Sequence, residues 1–275
     1  MGGTAACRMI FDAERSVKIN RLENFRLNDS VSYQAAPLPL RQKIARHFLY
    51  SRYWEEGQQY QHPEDMMGYT LKNRKRLQKF GLVLGEDCFV PIEEKLPNDV
   101  YLDGYFQSER FFPDIRSQLL HEIVPKEPPL PKNEEIIRQL STTESVCLTA
   151  RMGFFQQDPM YNVCTIQYYR DAIELMKWLH PNCRFFLFSD NVEAAKANLP
   201  LPEDTVCEQG NDPDYEKLRV MAHSKHFIIS NSSFSWWVQY LGIAPDKTVI
   251  APNHWYTIPI PCDVFQQNWI MLPTE

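Results

Sequence analysis

The chain has 275 residues, 44% of them hydrophobic and 13% aromatic, with a formal net charge of −6 and a pI of about 5.7. This composition predicts a globular protein with a sizeable core, in one large or two modest domains. Basic residues are scattered except for KNRKRLQK at 72–79, so no broad basic face for nucleic acid is expected. That cluster fits a solvated helix face or, alternatively, a contact with an acidic membrane surface or a phosphate.

Cysteine usage and hydropathy predict a cytoplasmic protein. The seven cysteines are odd in number and lack C-x-x-C spacing, which favours reduced thiols over disulfides or a zinc site. His223 and His226 lie three apart without a Cys or carboxylate at ligand spacing, and they fit the end of a surface helix. No run reaches the ~18 apolar residues of a membrane span, and the first thirty residues lack a signal-peptide pattern. Peripheral attachment to the inner membrane surface stays open.

The amino-terminal part of the chain carries few strong patterns. Apolar residues at helical spacing in 41–54 predict one or two helices, and residues 81–91 resemble a hairpin or a short strand pair. The stretch VYLDGYF at 100–106 alternates like a strand, and Ser108 is placed to cap a following helix. The stretch KEPPLPKN at 126–133 is rich in proline and predicts a linker.

Beyond the linker, strands and helices are predicted to alternate. Strands are expected at 146–150, 184–188, 205–208, 227–229 and 247–251, and helices at 134–140, 166–179, 191–199, 212–224 and 233–242. This alternation is typical of a doubly wound parallel sheet.

Polar residues follow three of these strands. Thr149 and Arg151 follow the first, Ser189 and Asp190 the second, and SNSS at 230–233 the fourth. All lie at carboxyl ends of strands, where open α/β sheets bind ligands. An arginine and a hydroxyl-rich helix start can hold a pyrophosphate, and an acid can hold a ribose hydroxyl or a guanine edge. The structural alternatives are a surface ion pair for Arg151 and plain helix N-caps for the other two groups.

Six stretches of the chain carry a family resemblance. In order they are VYLDGYFQSERFF, VCLTARMGFF, QQDPMYNVCTIQYYRDAI, FFLFSDN, DYEKLRVMAHSKHFIISNSSFSWW and VIAPNHW, within about residues 97–257. They resemble the bacterial α-1,2-fucosyltransferases of glycosyltransferase family 11. The resemblance implies an α/β, GT-B-like fold of two Rossmann-type halves with parallel sheets. The acceptor-side half would be residues 1–132 and the GDP-fucose-binding half residues 133–275.

The same resemblance implies an activity. Members of the family transfer L-fucose from GDP-fucose, with inversion, to the 2-hydroxyl of a galactoside. GDP-fucose and a galactose-terminated glycan are therefore the expected partners of this chain. No metal or other cofactor is expected. The family opens with a strand and a Gly-rich loop, and only Gly2-Gly3 stand near that place. We therefore expect the first β-α unit of the amino-terminal half to be missing.

The resemblance also implies roles for individual residues. After the first donor-half strand the family reads H-x-R-R-G-D, whereas residues 149–154 here read TARMGF. Arg151 matches the pyrophosphate-binding arginine, but Phe154 replaces a carboxylate that is a candidate base. Asp158 is the alternative base, with a structural role as its own alternative. The expected catalytic residues are Arg151 and Asp158, and the expected donor-binding residues are Thr149, Arg151, Ser189, Asp190, Glu216, Ser230, Asn231, Ser232, Ser233 and Phe234.

Two other functions stay open. The departures from the family motif favour a degenerate member that binds a guanine nucleotide or a glycan without transferring sugar. The second open function is that of a fucosyltransferase acting on a protein or on another glycan. It stays open because donor motifs say little about acceptors. Trp236 and Trp237, which follow the SNSS turn, are expected to fill the core behind it rather than to stack on a sugar.

Overall fold

The structure is a computed structural model that describes residues 106–153, 159–258 and 262–274 without a break. Before residue 106 it describes shorter stretches, which are 10–12, 17–19, 24–26, 40–45, 47, 73–74, 76–85, 89–92, 95–98 and 100–104. The chain divides into two compact units, one made of Met1–Ile123 and Pro259–Phe265 and the other of Val124–Ile258 and Gln266–Glu275. The assignment of acceptor and donor halves stays a prediction.

The first unit contains short elements. They are β1 (Ile10–Asp12), β2 (Val17–Ile19), α1 (Leu40–Ala45), β3 (Leu82–Gly85), β4 (Tyr101–Gly104) and α2 (Arg116–Glu122). The strand predicted at 100–106 is confirmed. The hairpin or strand pair predicted at 81–91 is correct in one strand, β3, and wrong in its pairing, because β3 pairs in parallel with β4 and Leu82 lies opposite Tyr101. Ser108 does act as a cap, but of a single 3-10 turn, with its hydroxyl accepting the Arg110 N–H.

The second unit is a six-stranded sheet with helices between its strands. Its elements are α3 (Glu134–Thr142), β5 (Ser145–Ala150), α4 (Ile166–Leu179), β6 (Arg184–Ser189), α5 (Val192–Asn198), β7 (Val206–Cys207), α6 (Asp214–Ala222), β8 (His226–Ile228), α7 (Ser233–Leu241), β9 (Val249–Pro252) and β10 (Ile270–Leu272). All of its strand pairs are parallel. The predicted α/β fold with parallel sheets is therefore confirmed. The prediction missed β10, since three residues are too short to show a period.

The order of the strands fixes where a ligand can bind. Across the sheet they run β10-β9-β8-β5-β6-β7. Numbered from β5, this is the 3-2-1-4-5-6 order of Rossmann folds, with the direction of winding reversing between β5 and β8. Ligands of open α/β sheets bind in the crevice outside the carboxyl ends of the two strands at such a switch point. The loops after β5 and β8 therefore line the expected ligand-binding crevice.

The core of the second unit follows from apolar runs and helical spacing. All six residues of β5 are buried, as expected for a central parallel strand. Helix α4 is capped by the Thr165 hydroxyl and buries one face, made of Tyr168, Tyr169, Ala172, Ile173 and Met176. Trp236 is fully buried and stacks on Tyr240 with ring centroids 4.9 Å apart, so its predicted core role is confirmed.

Five cysteines lie among the described residues, and none of them forms a disulfide there. They are Cys147, Cys164, Cys183, Cys207 and Cys262. Burial raises the pKa of the Cys164 thiol to about 12, which keeps it protonated and unreactive at neutral pH.

Within the part of the chain that the structure describes, no helix combines the length and the apolarity needed to cross a membrane.

Candidate functional site

Three strand ends meet at one guanidinium group. Arg151 directly follows β5, and its Nη2 donates a hydrogen bond to Ser232 Oγ at 2.9 Å, in the loop after β8. Its Nη1 lies 3.6 Å from Oδ2 of Asp190, which follows β6. The Arg151 side chain remains 32% exposed. The sequence predicts these residues after three different strands, and the fold brings their side chains together at the switch point.

Asp190 is engaged with the backbone of the turn after β5 as well. Its Oδ1 accepts the N–H of Met152 at 2.8 Å and of Gly153 at 3.2 Å. A Cβ atom at Gly153 would lie 3.0 Å from Oδ2 of Asp190, so a side chain there would require the carboxylate to shift slightly. Sequence reasoning missed these two amides, because backbone groups leave no residue-type signal.

Thr149 and Ser230 are adjacent to the site, but their hydroxyls point into the protein. Thr149 Oγ1 accepts the Ser230 N–H at 2.9 Å and lies 3.4 Å from the Ile228 carbonyl oxygen. Ser230 is fully buried, with its Oγ 3.2 Å from Ser235 Oγ. Both residues therefore fasten the loop after β8 to β5.

Asn231 ties the same loop to two other segments. Its Nδ2 donates to the carbonyl oxygens of Tyr161 and Trp255, both at 3.0 Å. Its Oδ1 accepts from the Cys164 thiol at 3.5 Å. The amide is thus used on both sides by protein groups, which defines the path of the loop.

Helix α7 begins at this loop with its positive dipole end. Ser232 is the N-cap residue, yet its side chain makes no capping hydrogen bond within the helix, because its hydroxyl receives Arg151 instead. Ser233, the first helical residue, is exposed, and Phe234 is half-buried. A helix start of this kind attracts anions through its backbone N–H groups and dipole.

The turn after β6 is held from the neighbouring strand. The Ser189 N–H donates to Glu208 Oε1 at 2.8 Å, and Ser189 Oγ accepts the Asn191 N–H. Glu208 Oε2 lies 3.0 Å from Lys217 Nζ, and its side chain is only 8% exposed. Glu208 was not singled out from the sequence, although an acid placed directly after a strand at this edge was an available signal.

Glu216 lies in a separate network. It is fully buried, and its Oε1 accepts the Leu130 N–H at 2.9 Å and Asn133 Nδ2 at 3.0 Å. Its Oε2 is 3.1 Å from Arg219 Nη1. Among the described contacts of Glu216, none is with Arg151 or its neighbours. Its predicted donor-binding role therefore stays a prediction without local support.

The proline-rich stretch at 126–133 is fixed to α6 by the same network. Besides the Glu216 contacts, Asp212 accepts a hydrogen bond from Asn133 and pairs with Lys132. Since Asp212 is used in this way, it does not cap the helix, and α6 begins at Asp214 rather than at 212 as predicted. The stretch predicted to be a linker is thus part of the second unit.

Two tyrosines of α4 support the strand ends. Tyr168 Oη donates to the Ile229 carbonyl at 2.6 Å, and Tyr169 Oη donates to the Thr149 carbonyl at 3.3 Å. Burial raises the pKa of both phenols well above the usual value, so they stay neutral donors. The candidate base Asp158 lies outside the described residues.

A second polar cluster lies at the opposite, amino edge of the sheet. It consists of Glu144, His180 and His226, the set of metal-ligating side chains that lie together in the described residues. His226 is buried at the start of β8, so its predicted place on a surface helix end is wrong. The carboxylate partner comes from Glu144, which is distant in the sequence and so gave no spacing signal.

Hydrogen bonding at this cluster disfavours a metal ion. His226 Nδ1 accepts the Thr248 N–H at 3.1 Å, so the ring proton is on Nε2, which donates to Glu144 Oε1 at 2.6 Å. This tautomer leaves His226 no nitrogen lone pair for a metal. The rings of His180 and His226 stack at 3.7 Å, and Lys225 Nζ lies 3.1 Å from Glu144 Oε2. These hydrogen bonds connect the start of β5, through Glu144, to His226 of β8 and to Thr248 before β9. We call this group of residues the amino-edge joint.

Comparison with known proteins identifies the family. The family model described as glycosyl transferase family 11 matches residues 91–273. The chain belongs to glycosyl transferase family 11. It is 30% identical to an alpha-1,2-colitosyltransferase of Escherichia coli over 175 residues, 60% of this chain and 59% of that protein. It is 25% identical to the O-antigen biosynthesis glycosyltransferase WbnK of Escherichia coli over 145 residues, 50% of this chain and 47% of that one. The chain thus spans about half the length of these relatives.

Two solved structures with some likeness to this family 11 chain are a heptosyltransferase and a trehalose-6-phosphate synthase. Escherichia coli heptosyltransferase WaaC, in complex with ADP-2-deoxy-2-fluoro heptose, aligns with a TM-score of 0.31 and 17% identity over 54% of this chain and 43% of its own. Trehalose-6-phosphate synthase OtsA aligns with a TM-score of 0.34 and 9% identity over 70% and 50%.

The departures from the family 11 motif can now be placed in part. Thr149 stands where the motif has His, and its hydroxyl is used inside the protein to hold Ser230. Met152 replaces the second Arg and contributes its backbone N–H to Asp190. Phe154, in the place of the motif's Asp, lies outside the described residues.

Proposed function

We propose that this chain is a glycosyltransferase that moves L-fucose from GDP-fucose to the 2-hydroxyl of a galactose-terminated glycan, with inversion. The observation that carries the proposal is the Arg151 guanidinium, held by Ser232 and Asp190 at the switch point of the sheet beside the start of α7. A cation and a helix start at this edge suit a pyrophosphate. Membership of family 11 supports sugar transfer, and the α-1,2 linkage in one relative's name supports the 2-hydroxyl.

The donor side of the proposal follows from charge. In the transfer step, the acceptor oxygen forms a bond to the anomeric carbon of fucose while the bond from that carbon to the β-phosphate oxygen breaks. The electron pair of the broken bond leaves with GDP, so negative charge grows on the phosphate. Arg151, Ser233 and the first-turn N–H groups of α7 are the groups proposed to stabilise that charge. We propose that these groups stabilise the leaving GDP without a metal ion.

The acceptor side needs a base and an orientation. Attack from the face opposite to GDP inverts the configuration at the transferred carbon, and the proton of the 2-hydroxyl passes to a base. Asp158 is the proposed base, since Phe154 has no titratable group. We expect the Asp158→Asn substitution to lower the rate of transfer without a matching loss of GDP affinity.

The identity of the sugar is the finer part of the proposal. One relative is named as a colitosyltransferase. Colitose is fucose without one hydroxyl group, so a donor site that hydrogen-bonds that hydroxyl would prefer fucose, because the site's polar groups would otherwise be left unpaired. Rates with GDP-fucose and GDP-colitose at equal concentration compare the two donors directly.

The test is GDP release from purified protein with GDP-fucose and lactose, compared with GDP-fucose alone, followed by NMR analysis of the product linkage. We expect release that depends on lactose and a fucose linked to the 2-position of galactose. Release only with protein or non-galactoside acceptors would overturn the acceptor assignment. A faster reaction with GDP-colitose than with GDP-fucose would overturn the donor assignment.

A donor-binding protein without transferase activity is the second candidate. The observation that favours it is Thr149, because the residue at the motif's His position is turned inward and offers no group to a ligand. Its signature would be GDP binding by calorimetry together with no GDP release over a panel of galactosides, other glycans and peptides. Measurable acceptor-dependent release rejects it.

A further inference from the structure

One oxygen of the Asp190 carboxylate is occupied by backbone groups, and the other faces the Arg151 guanidinium. A carboxylate oxygen has about two lone-pair positions, and Oδ1 already accepts the N–H groups of Met152 and Gly153. The other oxygen lies 3.6 Å from Arg151 Nη1. The Asp190 side chain is 24% exposed, which is less than the 32% of Arg151. The carboxylate is therefore directed at the turn after β5 more than at the open crevice.

The guanidinium of Arg151 is held at two of its corners. Asp190 lies beside Nη1 and Ser232 accepts from Nη2. Because a guanidinium is planar and rigid, a hydrogen bond at one nitrogen and an ion pair at 3.6 Å from another restrict the orientation of the whole group. A long arginine side chain otherwise loses considerable rotamer entropy when it binds an anion. Fixing it beforehand reduces the ordering needed when the ligand arrives.

The backbone carrying Arg151 is fixed by the same carboxylate. The two amides that Asp190 receives belong to the two residues immediately after Arg151. The close approach of Asp190 to Gly153 leaves no room for a side chain at that position without a shift of the carboxylate. One acidic side chain thus holds both the guanidinium and the main chain from which it projects.

We propose that Asp190 is a positioning residue, which orients Arg151 for the anionic part of the donor and does not itself contact the nucleoside. This inference rests on the proposed function and differs from the sequence-based expectation that Asp190 binds guanosine. It assigns the recognition of the guanine and ribose to other groups of the chain.

A double-mutant cycle measured by GDP calorimetry tests the inference. The variants are Asp190→Asn, Arg151→Ala and the combination, with Glu193→Gln as control, since Glu193 is an exposed acid on α5 paired only to Lys196 among the described contacts. We expect Asp190→Asn to weaken GDP binding roughly fivefold in the native background and by less than about twofold when Arg151 is already Ala. Equal factors in both backgrounds would show direct contact and overturn the inference.

Rescue of GDP affinity by a small guanidine distinguishes a positioning role of Asp190 from a purely structural one. Added methylguanidine should restore part of the GDP affinity of the Arg151→Ala variant, because Asp190 can hold the free cation in the place of the side chain. The same addition should have no effect on the combined variant. Equal rescue of both variants would overturn the inference, and circular dichroism melting checks that each variant is folded.

The outcomes separate this inference from the proposed function. If the unmodified chain binds no GDP, the proposed donor is wrong and the inference falls with it. If GDP binds and the effects of the two substitutions multiply, only the positioning role of Asp190 is wrong.

Discussion

At the scale of single residues, the proposed donor site depends most on Arg151. It combines exposure with fixed neighbours, and its positive charge faces the edge at which α/β sheets bind ligands. The residues around it divide into those that hold the guanidinium and those whose polar groups are consumed in holding the loops. That division was invisible in the sequence, in which all of them appeared as candidate ligands.

Replacing Arg151 by Ala should weaken GDP binding by about tenfold or more, because a charge-assisted contact to a phosphate is lost. Isothermal titration measures the effect. Arg138→Ala is the matched control, since Arg138 is an exposed arginine of α3 paired to Glu135, and it should leave the affinity unchanged. Equal GDP affinity in the Arg151 variant and the native chain would contradict the assignment.

Replacing Thr149 by Val should destabilise the fold by about 1–3 kcal/mol, because the buried Ser230 N–H loses its acceptor. The free energy of unfolding in urea measures this cost. Thr142→Val serves as the control, since the Thr142 hydroxyl binds a carbonyl of its own exposed helix. A native-like stability for the Thr149 variant would show that the hydroxyl does not support the loop.

At the scale of elements, the attachment of α6 to the preceding segment depends on a buried charge. Glu216→Ala would leave Arg219 and the Leu130 N–H without their carboxylate, and we expect a loss of about 3–5 kcal/mol in unfolding free energy. Glu174→Ala, on the exposed face of α4, should have little effect. GDP affinity of the folded variant decides whether Glu216 also has the donor-binding role predicted from the sequence: unchanged affinity would contradict that role, and a large loss would support it.

The amino-edge joint predicts a pH dependence of stability. Burial lowers the pKa of His180 below its usual 6.5, so the unfolded chain takes up this proton at a higher pH than the folded chain. The hydrogen bond from His226, helped by Lys225, lowers the pKa of Glu144 below 4.5. Both effects favour the folded state at higher pH. Stability should therefore decline as the pH falls below about 6.5, and again as Glu144 becomes protonated.

Urea midpoints between pH 8 and pH 4 measure this dependence. The Glu144→Gln variant is the comparison, because it removes the carboxylate that faces both histidines and Lys225. Because the Glu144 carboxylate raises the pKa of His180 against the effect of burial, we expect the variant to lose more stability than the native chain between pH 7 and pH 5. Below about pH 4.5 it should lose less, since only the native chain has this carboxylate to protonate. A native chain that is as stable at pH 5 as at pH 7 would contradict the role given to this cluster.

At the scale of the whole molecule, the sequence predicted the elements of the second unit better than their contacts. Helix α4 was predicted at its observed bounds, since a capping Thr and apolar helical spacing are local signals. The pairing of β3 with β4 and the joint between Glu144 and His226 were missed, because they join distant parts of the chain. Local periodicity cannot show which distant residues will meet.

The candidate site was predicted in outline for the same reason. Position at a strand end is readable from the sequence, and it correctly gathered Arg151, Asp190 and Ser232 at one edge. The direction in which each side chain points depends on partners elsewhere, as with Asn231 and its bonds to Tyr161 and Trp255. Residue type alone could not separate groups that hold the site from groups that face a ligand.

The most direct test of the donor site is hydrogen–deuterium exchange with and without saturating GDP. We predict slower exchange in peptides covering 149–153 and 230–236, where the guanidinium and the start of α7 lie, and no change at 143–146 on the opposite edge of the sheet. Protection confined to other parts of the chain, or no protection while calorimetry shows bound GDP, would contradict the account.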